Sequence, residues 1–223
     1  MYDLFYNISG PTVWIISGIE LLLLIYLIYK SIKTKSLFIL LVTLITFGLF
    51  YDAFITSLGT IVDASNIMFL SKVRFILHAT LVPLLFIISI LTINLKKPFK
   101  IAVYITTSLF IILGIICIIF TSYEVINFAG ISRLTVNKEL TNKAINTIPT
   151  VINILAVIPL IVVGIYKLIK SKNIHLLLSG GLMFFFSMLP PIIKMNDFMF
   201  LISMFGEICM VFFLILYFNK ESK

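Results

Sequence analysis

The chain has 223 residues, of which 61% are apolar and 12% are charged, and it carries a formal net charge of +8. Its mean hydropathy is +1.19. An ordinary globular domain has roughly 25% charged and about 45–50% apolar residues, so this composition excludes a water-soluble protein and predicts an integral membrane protein.

Apolar runs of spanning length recur seven times along the chain. About 20 helical residues cross a hydrocarbon core about 30 Å thick. The period-2 alternation of a membrane β-barrel is absent, so only helices would satisfy the backbone in lipid. We therefore predict an all-α, polytopic seven-transmembrane-helix bundle that forms one domain over residues 1–223. The predicted spans are residues 12–29, 37–58, 73–93, 101–120, 147–165, 174–193 and 198–218.

The basic residues predict the orientation of these helices. Eleven of the 17 follow the first, third, fifth or seventh run, where Glu221 is the only carboxylate. The other six share the opposite side with five carboxylates, so the positive-inside rule places the N-terminus outside and the C-terminus in the cytoplasm. We expect a bacterial-type plasma membrane and no nucleic-acid partner. The eleven are Lys30, Lys33, Lys35, Lys96, Lys97, Lys100, Lys167, Lys170, Lys172, Lys220 and Lys223.

The longest connection covers residues 121–146 and lies on the predicted outer side. It mixes charged residues such as Glu124 and Arg133 with apolar residues such as Phe128. Its length exceeds that of an ordinary connection between helices, which favours a lid or a surface helix. A plain solvated loop is an equally open alternative.

Ionisable residues remain inside the predicted spans. Glu20, Asp52 and Glu207 lie within three different runs, and Arg74 and His78 lie near the outer end of the third run. Such residues are energetically costly in a membrane, usually face the bundle interior and mark functional sites. At 1.5 Å per residue, Glu20, Asp52, His78 and Glu207 lie roughly 9–13 Å below the outer boundary. Four helices therefore contribute to one layer.

Two more polar residues, Asn153 in the fifth run and Ser187 in the sixth, lie roughly 9 Å inside the same boundary. We predict an outward-facing polar pocket, with close helix packing at the neighbouring Gly18, Gly48 and Gly206. The residues predicted to bind a ligand are Glu20, Asp52, Arg74, His78, Asn153, Ser187 and Glu207.

Charge suggests a role for each ionisable residue in this layer. Asp52 and Arg74 are expected to form an ion pair, because a short connection joins their helices. Glu20 and Glu207 lack an evident basic partner, so their charge would be relieved by protonation or by a bound cation. Structural alternatives stay open: the ion pair would lock two helices, His78 would make an interhelical hydrogen bond, and Glu20 would be a neutral acid bonded to a Ser or Tyr.

Three function classes fit this layer. The pocket favours a transporter or receptor that binds a small cationic or proton-exchanging ligand and contacts lipid. An intramembrane hydrolase acting on a lipid or amphipathic substrate is an alternative, with Asp52, His78 and Glu207 around a metal or with a Ser187–His78–Asp52 triad. A sensor or partner subunit without catalysis is the third. One membrane histidine and no GxSxG elbow favour a non-enzyme, so we assign no catalytic or metal residue and leave the cofactor open.

Overall fold

Helices form most of residues 2–221, the part of the chain described by the computed structural model. Lys223 of the predicted cytoplasmic lysines lies outside these residues. Seven segments are long and apolar enough to cross a membrane, and this confirms the predicted number. In chain order the elements are α1 (Tyr2–Thr34), α2 (Leu37–Leu58), α3 (Met68–Leu81), α4 (Leu84–Leu91), α5 (Lys97–Ile119), β1 (Tyr123–Phe128), β2 (Ile131–Val136), α6 (Lys143–Ser171), α7 (His175–Ile192), a 3₁₀ turn (Asn196–Phe198) and α8 (Met199–Glu221).

Several helices are longer than the apolar runs that predicted them. The first begins at Tyr2 rather than at residue 12, and α6 covers Lys143–Ser171 rather than 147–165. Hydropathy marks the part of a helix that suits lipid, whereas a helix continues into polar residues as long as its backbone bonds are kept. The third segment is divided into α3 and α4 at Pro83, because proline has no N–H to donate to the helical ladder.

The helix assembly is built around α2, which is the most buried of the seven segments. It packs against α1, α3, α4 and α8, and α7 packs between α6 and α8. Side chains from α2, α4, α6 and α8 fill the largest apolar core. The fourth segment, α5, is the least buried and contacts α3, α4 and α6.

The assembly has two chemically different ends. At one end Lys167 forms a 3.0 Å ion pair with Glu221, and Lys220 donates to the Lys172 carbonyl. We call this the lysine-rich end. The opposite end carries β1 and β2, and there Tyr2 and Tyr6 of α1 pack edge-to-face on Phe128. We call it the hairpin end.

Residues 123–136 form a β-hairpin, so the predictions of a surface helix and of a plain loop were wrong for this connection. Strands β1 and β2 pair antiparallel, with Phe128 opposite Ile131. Ala129 and Gly130 form the turn with φ values of 53° and 72°, the left-handed conformation that two-residue hairpin turns require. The all-α prediction is therefore corrected by this hairpin. The β-branched and aromatic residues on both sides of Ala129-Gly130 were the sequence signal.

The hairpin is held against the connection between α2 and α3. Ser132 N–H donates to Gly59 O over 2.8 Å, and Ala64 N–H donates to Ser132 Oγ over 2.9 Å. A Cβ atom at Gly59 would lie 2.0 Å from Ser132 O, so only glycine allows this approach of the two backbones. Ile131 is fully buried among side chains of α1, α2 and α8. The hairpin is thus part of the packed structure.

Candidate functional site

Two cavities adjoin each other near the hairpin end. The first, of about 370 Å³, lies among α2, α3, α4, α6, α7 and α8 and is lined mainly by apolar side chains; we call it the apolar cavity. The second, of about 490 Å³, lies beneath the hairpin and is lined by Arg74, Arg133 and Lys138; we call it the basic cavity. Five residues line both cavities, so the two form one cleft. They are His78, Thr150, Asn153, Met199 and Ser203.

The cleft exists because α6 and α7 approach each other closely over only part of their length. A Cβ atom at Gly164 would lie 2.5 Å from the Leu177 backbone, and one at Gly180 would lie 3.0 Å from the Ile161 N atom. These contacts lie toward the lysine-rich end. Nearer the hairpin end, Thr150 lines the cleft and is exposed. Small residues thus set the close approach, and beyond them the helices leave room for the apolar cavity.

The predicted ion pair between Asp52 and Arg74 is confirmed. Arg74 Nε lies 3.3 Å from Asp52 Oδ1. Arg74 also donates through Nη1 to Thr56 Oγ1 at 2.8 Å and through Nη2 to Leu134 O at 2.9 Å. All three nitrogens of the guanidinium are therefore engaged, and the pair lines the basic cavity while joining α2, α3 and β2.

Glu207 of α8 lines the apolar cavity. It is 5% exposed, and within residues 2–221 no hydrogen bond to its carboxyl is formed. Its electrostatic neighbours are Asp52 and Arg74. A Cβ atom at the adjoining Gly206 would lie 3.2 Å from Met183 Cα, so α7 and α8 approach closely there, as predicted. The cavity thus contains one carboxyl in mostly apolar surroundings.

Glu20 of α1 is 1% exposed, and both of its carboxyl oxygens are buried without a hydrogen-bond partner in the described structure. The hydrogen bond to a Ser or Tyr that the alternative gave to Glu20 is therefore not formed. Glu20 has Glu207 and Asp52 as electrostatic neighbours but lines neither the apolar nor the basic cavity. The close packing predicted at Gly18 is also wrong, because no atom lies within 4 Å of a Cβ placed there.

His78 and Asn153 join α3 to α6 in the wall between the two cavities. His78 Nε2 lies 3.1 Å from Asn153 Nδ2, which confirms an interhelical hydrogen bond for the histidine. Ser187 lines the apolar cavity. The helices therefore bring six of the seven predicted residues to one cleft, and Glu20 lies beside it.

The arrangements proposed for a hydrolase are not formed. Among the residues described, no group of three His, Cys, Asp or Glu side chains could hold a metal ion, which includes Asp52, His78 and Glu207. A triad fails as well, because the recorded partner of His78 Nε2 is Asn153 and not Ser187.

Arg133 of β2 is the site residue that the sequence analysis missed. Its guanidinium carbon lies 4.0 Å from the centre of the Phe200 ring, and it lines the basic cavity. Burial, together with the nearby Arg74 guanidinium, lowers the pKa of Arg133 to about 10. The signal was the strand alternation that sends Arg133 and Thr135 to the same face of β2.

The charges that line the cleft differ from the negative excess that the sequence predicted. Among the residues described, the lining carboxylates are Asp52 and Glu207, and the lining cations are Arg74, Arg133 and Lys138. The predicted excess included Glu20, which lies outside both cavities, and omitted Arg133 and Lys138. The acidic and basic groups are also separated, with Glu207 in the apolar cavity and the cations in the basic one.

No protein-family model matches this chain, and no match is found among the curated proteins. The residues of the cleft are therefore the basis on which a function is proposed.

Proposed function

We propose that this chain is an integral membrane binding protein of the transporter or receptor type, with seven transmembrane helices. The N-terminus and the hairpin end would face the outside of a bacterial-type plasma membrane, and the C-terminus would face the cytoplasm. The gathering of lysines at the end opposite the hairpin supports this orientation through the positive-inside rule. The cleft would then open toward the outside and receive a small ligand.

The group of the ligand that enters the apolar cavity would be cationic or proton-donating, and Glu207 would bind it. The observation that carries this proposal is the Glu207 carboxyl, which lines the cavity without a hydrogen-bond partner among residues 2–221. A carboxyl in mostly apolar surroundings is energetically costly unless it is paired. A ligand ammonium or hydroxyl would supply the missing donor.

The part of the ligand that surrounds this group in the apolar cavity would be apolar. The wall around Glu207 includes Leu49, Val157 and several methionines, and methionine side chains adapt to irregular apolar shapes. A volume of about 370 Å³ falls within the size range of small-molecule sites. A small amphipathic amine fits this combination of one carboxyl and an apolar wall.

The other predicted residues would support this site in different ways. Asn153 and Ser187 would offer hydrogen bonds to the polar part of the ligand. Asp52 and Arg74 would keep the wall of the cleft in place. His78, which is bonded to Asn153, would adjust the protonation of the groups in the cleft. Glu20 would bind or release a proton as the charge on the neighbouring Glu207 changes, through their electrostatic interaction.

Thermal unfolding of the purified protein in neutral maltoside micelles tests the role of Glu207. The probes are decylamine and its neutral analogue decanol, at pH 6 and pH 8. The variant is Glu207→Gln, and the control is Glu124→Gln, which removes an exposed carboxyl from β1. We expect decylamine to raise the unfolding temperature of the wild type and of the control. Glu207→Gln should need a decylamine concentration about ten-fold higher or more to reach half of the maximal shift in unfolding temperature. An equal response of Glu207→Gln would refute the proposal.

A further inference from the structure

The basic cavity contains more positive than negative charge among its lining residues. Three cations, Arg74, Arg133 and Lys138, line this cavity, and Asp52 is the carboxylate among its lining residues. Asp52 is already paired with Arg74 at 3.3 Å, and Arg74 uses its remaining nitrogens on Thr56 and Leu134. Arg133 and Lys138 therefore remain without an ion-pair partner in the described structure.

Arg133 is the more constrained of these two cations. Its Nε atom is buried and has no hydrogen-bond partner among the residues described. One face of its guanidinium lies over the Phe200 ring at 4.0 Å, which restricts the group to a plane and leaves its edge for hydrogen bonding. A guanidinium edge matches the two oxygens of a carboxylate or phosphate.

The surroundings of Arg133 favour an added anion. Burial and the Arg74 charge act against the charged guanidinium, the Asp52 and Asp197 carboxylates act in its favour, and the net effect lowers the pKa of Arg133 to about 10, still above neutral pH. The cation is thus charged under physiological conditions, and the two carboxylates offset its burial only in part. An oxyanion in the cavity would supply further negative charge beside the guanidinium.

The fold keeps Arg133 over the cavity. Ser132, the preceding residue, is bonded to Gly59 O and to Ala64 N–H. Leu134, the following residue, is 1% exposed and accepts a hydrogen bond from Arg74. Because both neighbours are held in place, the alternation of the strand directs Arg133 and Thr135 together toward the cavity.

We infer that the basic cavity is an anion subsite, in which Arg133, with Lys138 at its exposed side, binds an oxyanion of the carboxylate or phosphate type. This inference deepens the proposed function and rests on it in one respect, because the two cavities are treated as one cleft. The ligand class is then an amphipathic molecule that carries an oxyanion for Arg133 and a proton-donating group for Glu207.

Thermal unfolding in maltoside micelles tests the subsite with four probes: decyl phosphate, decanoate, decanol and inorganic phosphate. The variant is Arg133→Gln. The control is Lys143→Gln, which removes a nearby exposed cation that lines neither cavity. We expect decyl phosphate and decanoate to raise the unfolding temperature of the wild type and of the control. Arg133→Gln should require a concentration of either probe about ten-fold higher or more to reach half of the maximal shift in unfolding temperature. The small response to decanol should be the same in all three proteins.

Two results would overturn the subsite: an unchanged response of Arg133→Gln to decyl phosphate, or an equal weakening in Lys143→Gln, which would show attraction to surface charge alone. Stabilisation by inorganic phosphate would identify a free oxyanion as sufficient, and stabilisation by decyl phosphate alone would identify an amphiphile headgroup.

If Arg133→Gln does not fold, Arg133→Lys replaces it, and unchanged binding by this variant overturns the inference because lysine lacks the planar pair of donors. Decylamine binding should survive in Arg133→Gln, which separates this test from that of Glu207.

Discussion

The Nε atom of Arg74 lies 3.3 Å from Oδ1 of Asp52, and the two side chains are 11% and 21% exposed. The same guanidinium donates to Thr56 on α2 and to the Leu134 carbonyl on β2. A single residue of α3 therefore connects two helices with the hairpin. This connection places the hairpin over the cleft.

Replacing Arg74 should be more harmful than replacing Asp52. Arg74→Gln removes the ion pair and the bonds to Thr56 and Leu134, and we expect a loss of about 3 kcal/mol in the free energy of unfolding. Asp52→Asn keeps those two bonds and should lose less. Reversible unfolding by SDS in mixed micelles measures both. Equal losses would show that the bonds to Thr56 and Leu134 contribute little.

Gly59→Ala should detach the hairpin, because the new Cβ atom would lie 2.0 Å from Ser132 O. We expect a lower unfolding temperature and faster amide hydrogen exchange at Ser132. Gly18→Ala is the matched control, since no atom lies within 4 Å of a Cβ placed there, and it should be neutral or stabilise by up to about 1 kcal/mol. Protected exchange at Ser132 in Gly59→Ala would contradict the close contact.

Gly164→Ala should separate α6 from α7. Its Cβ atom would lie 2.5 Å from the backbone of Leu177, which has no flexible end that could move aside. Overpacking of this kind costs about 1–3 kcal/mol. Gly181→Ala, where a Cβ atom would meet nothing within 4 Å, is the control. If both variants unfold at the same temperature, the helices do not depend on Gly164 for their approach.

Glu20→Met should stabilise the protein. Both carboxyl oxygens of Glu20 are buried without a partner among residues 2–221, and such a group costs about 1–3 kcal/mol when it is left unsatisfied. Methionine has a similar shape and needs no hydrogen bond. The unfolding temperature of Glu20→Met in maltoside micelles should therefore rise. A fall would mean that the carboxyl is stabilised by a bound water or ion.

Single cysteines test the proposed orientation. Glu139→Cys at the hairpin end and Lys33→Cys at the lysine-rich end both place a thiol at an exposed position. With Cys117 and Cys209 replaced by alanine, a membrane-impermeant maleimide added to intact cells should label Glu139→Cys and leave Lys33→Cys unlabelled. Labelling of Lys33→Cys alone would reverse the orientation, and disruption of the cells should make both accessible.

Predictions that depended on local sequence agree closely with the structure. The second apolar run, residues 37–58, coincides with α2 at Leu37–Leu58. Asp52 and Arg74 pair because a short connection makes α2 and α3 neighbours. The length and polarity of residues 121–146 do not indicate the hairpin, whereas the β-branched and aromatic residues on both sides of Ala129-Gly130 do.

The sequence by itself determined seven long apolar helices and a group of polar residues at similar heights, because hydropathy and the rise per residue are properties of each helix alone. Tertiary structure decided which of these residues line a common cavity. It excluded Glu20 and included Arg133, because the rotation of each helix and the position of the hairpin depend on contacts between distant segments. Gly59 against Ser132 and Gly164 against Leu177 are such contacts, and their close approach is set by packing across the whole assembly.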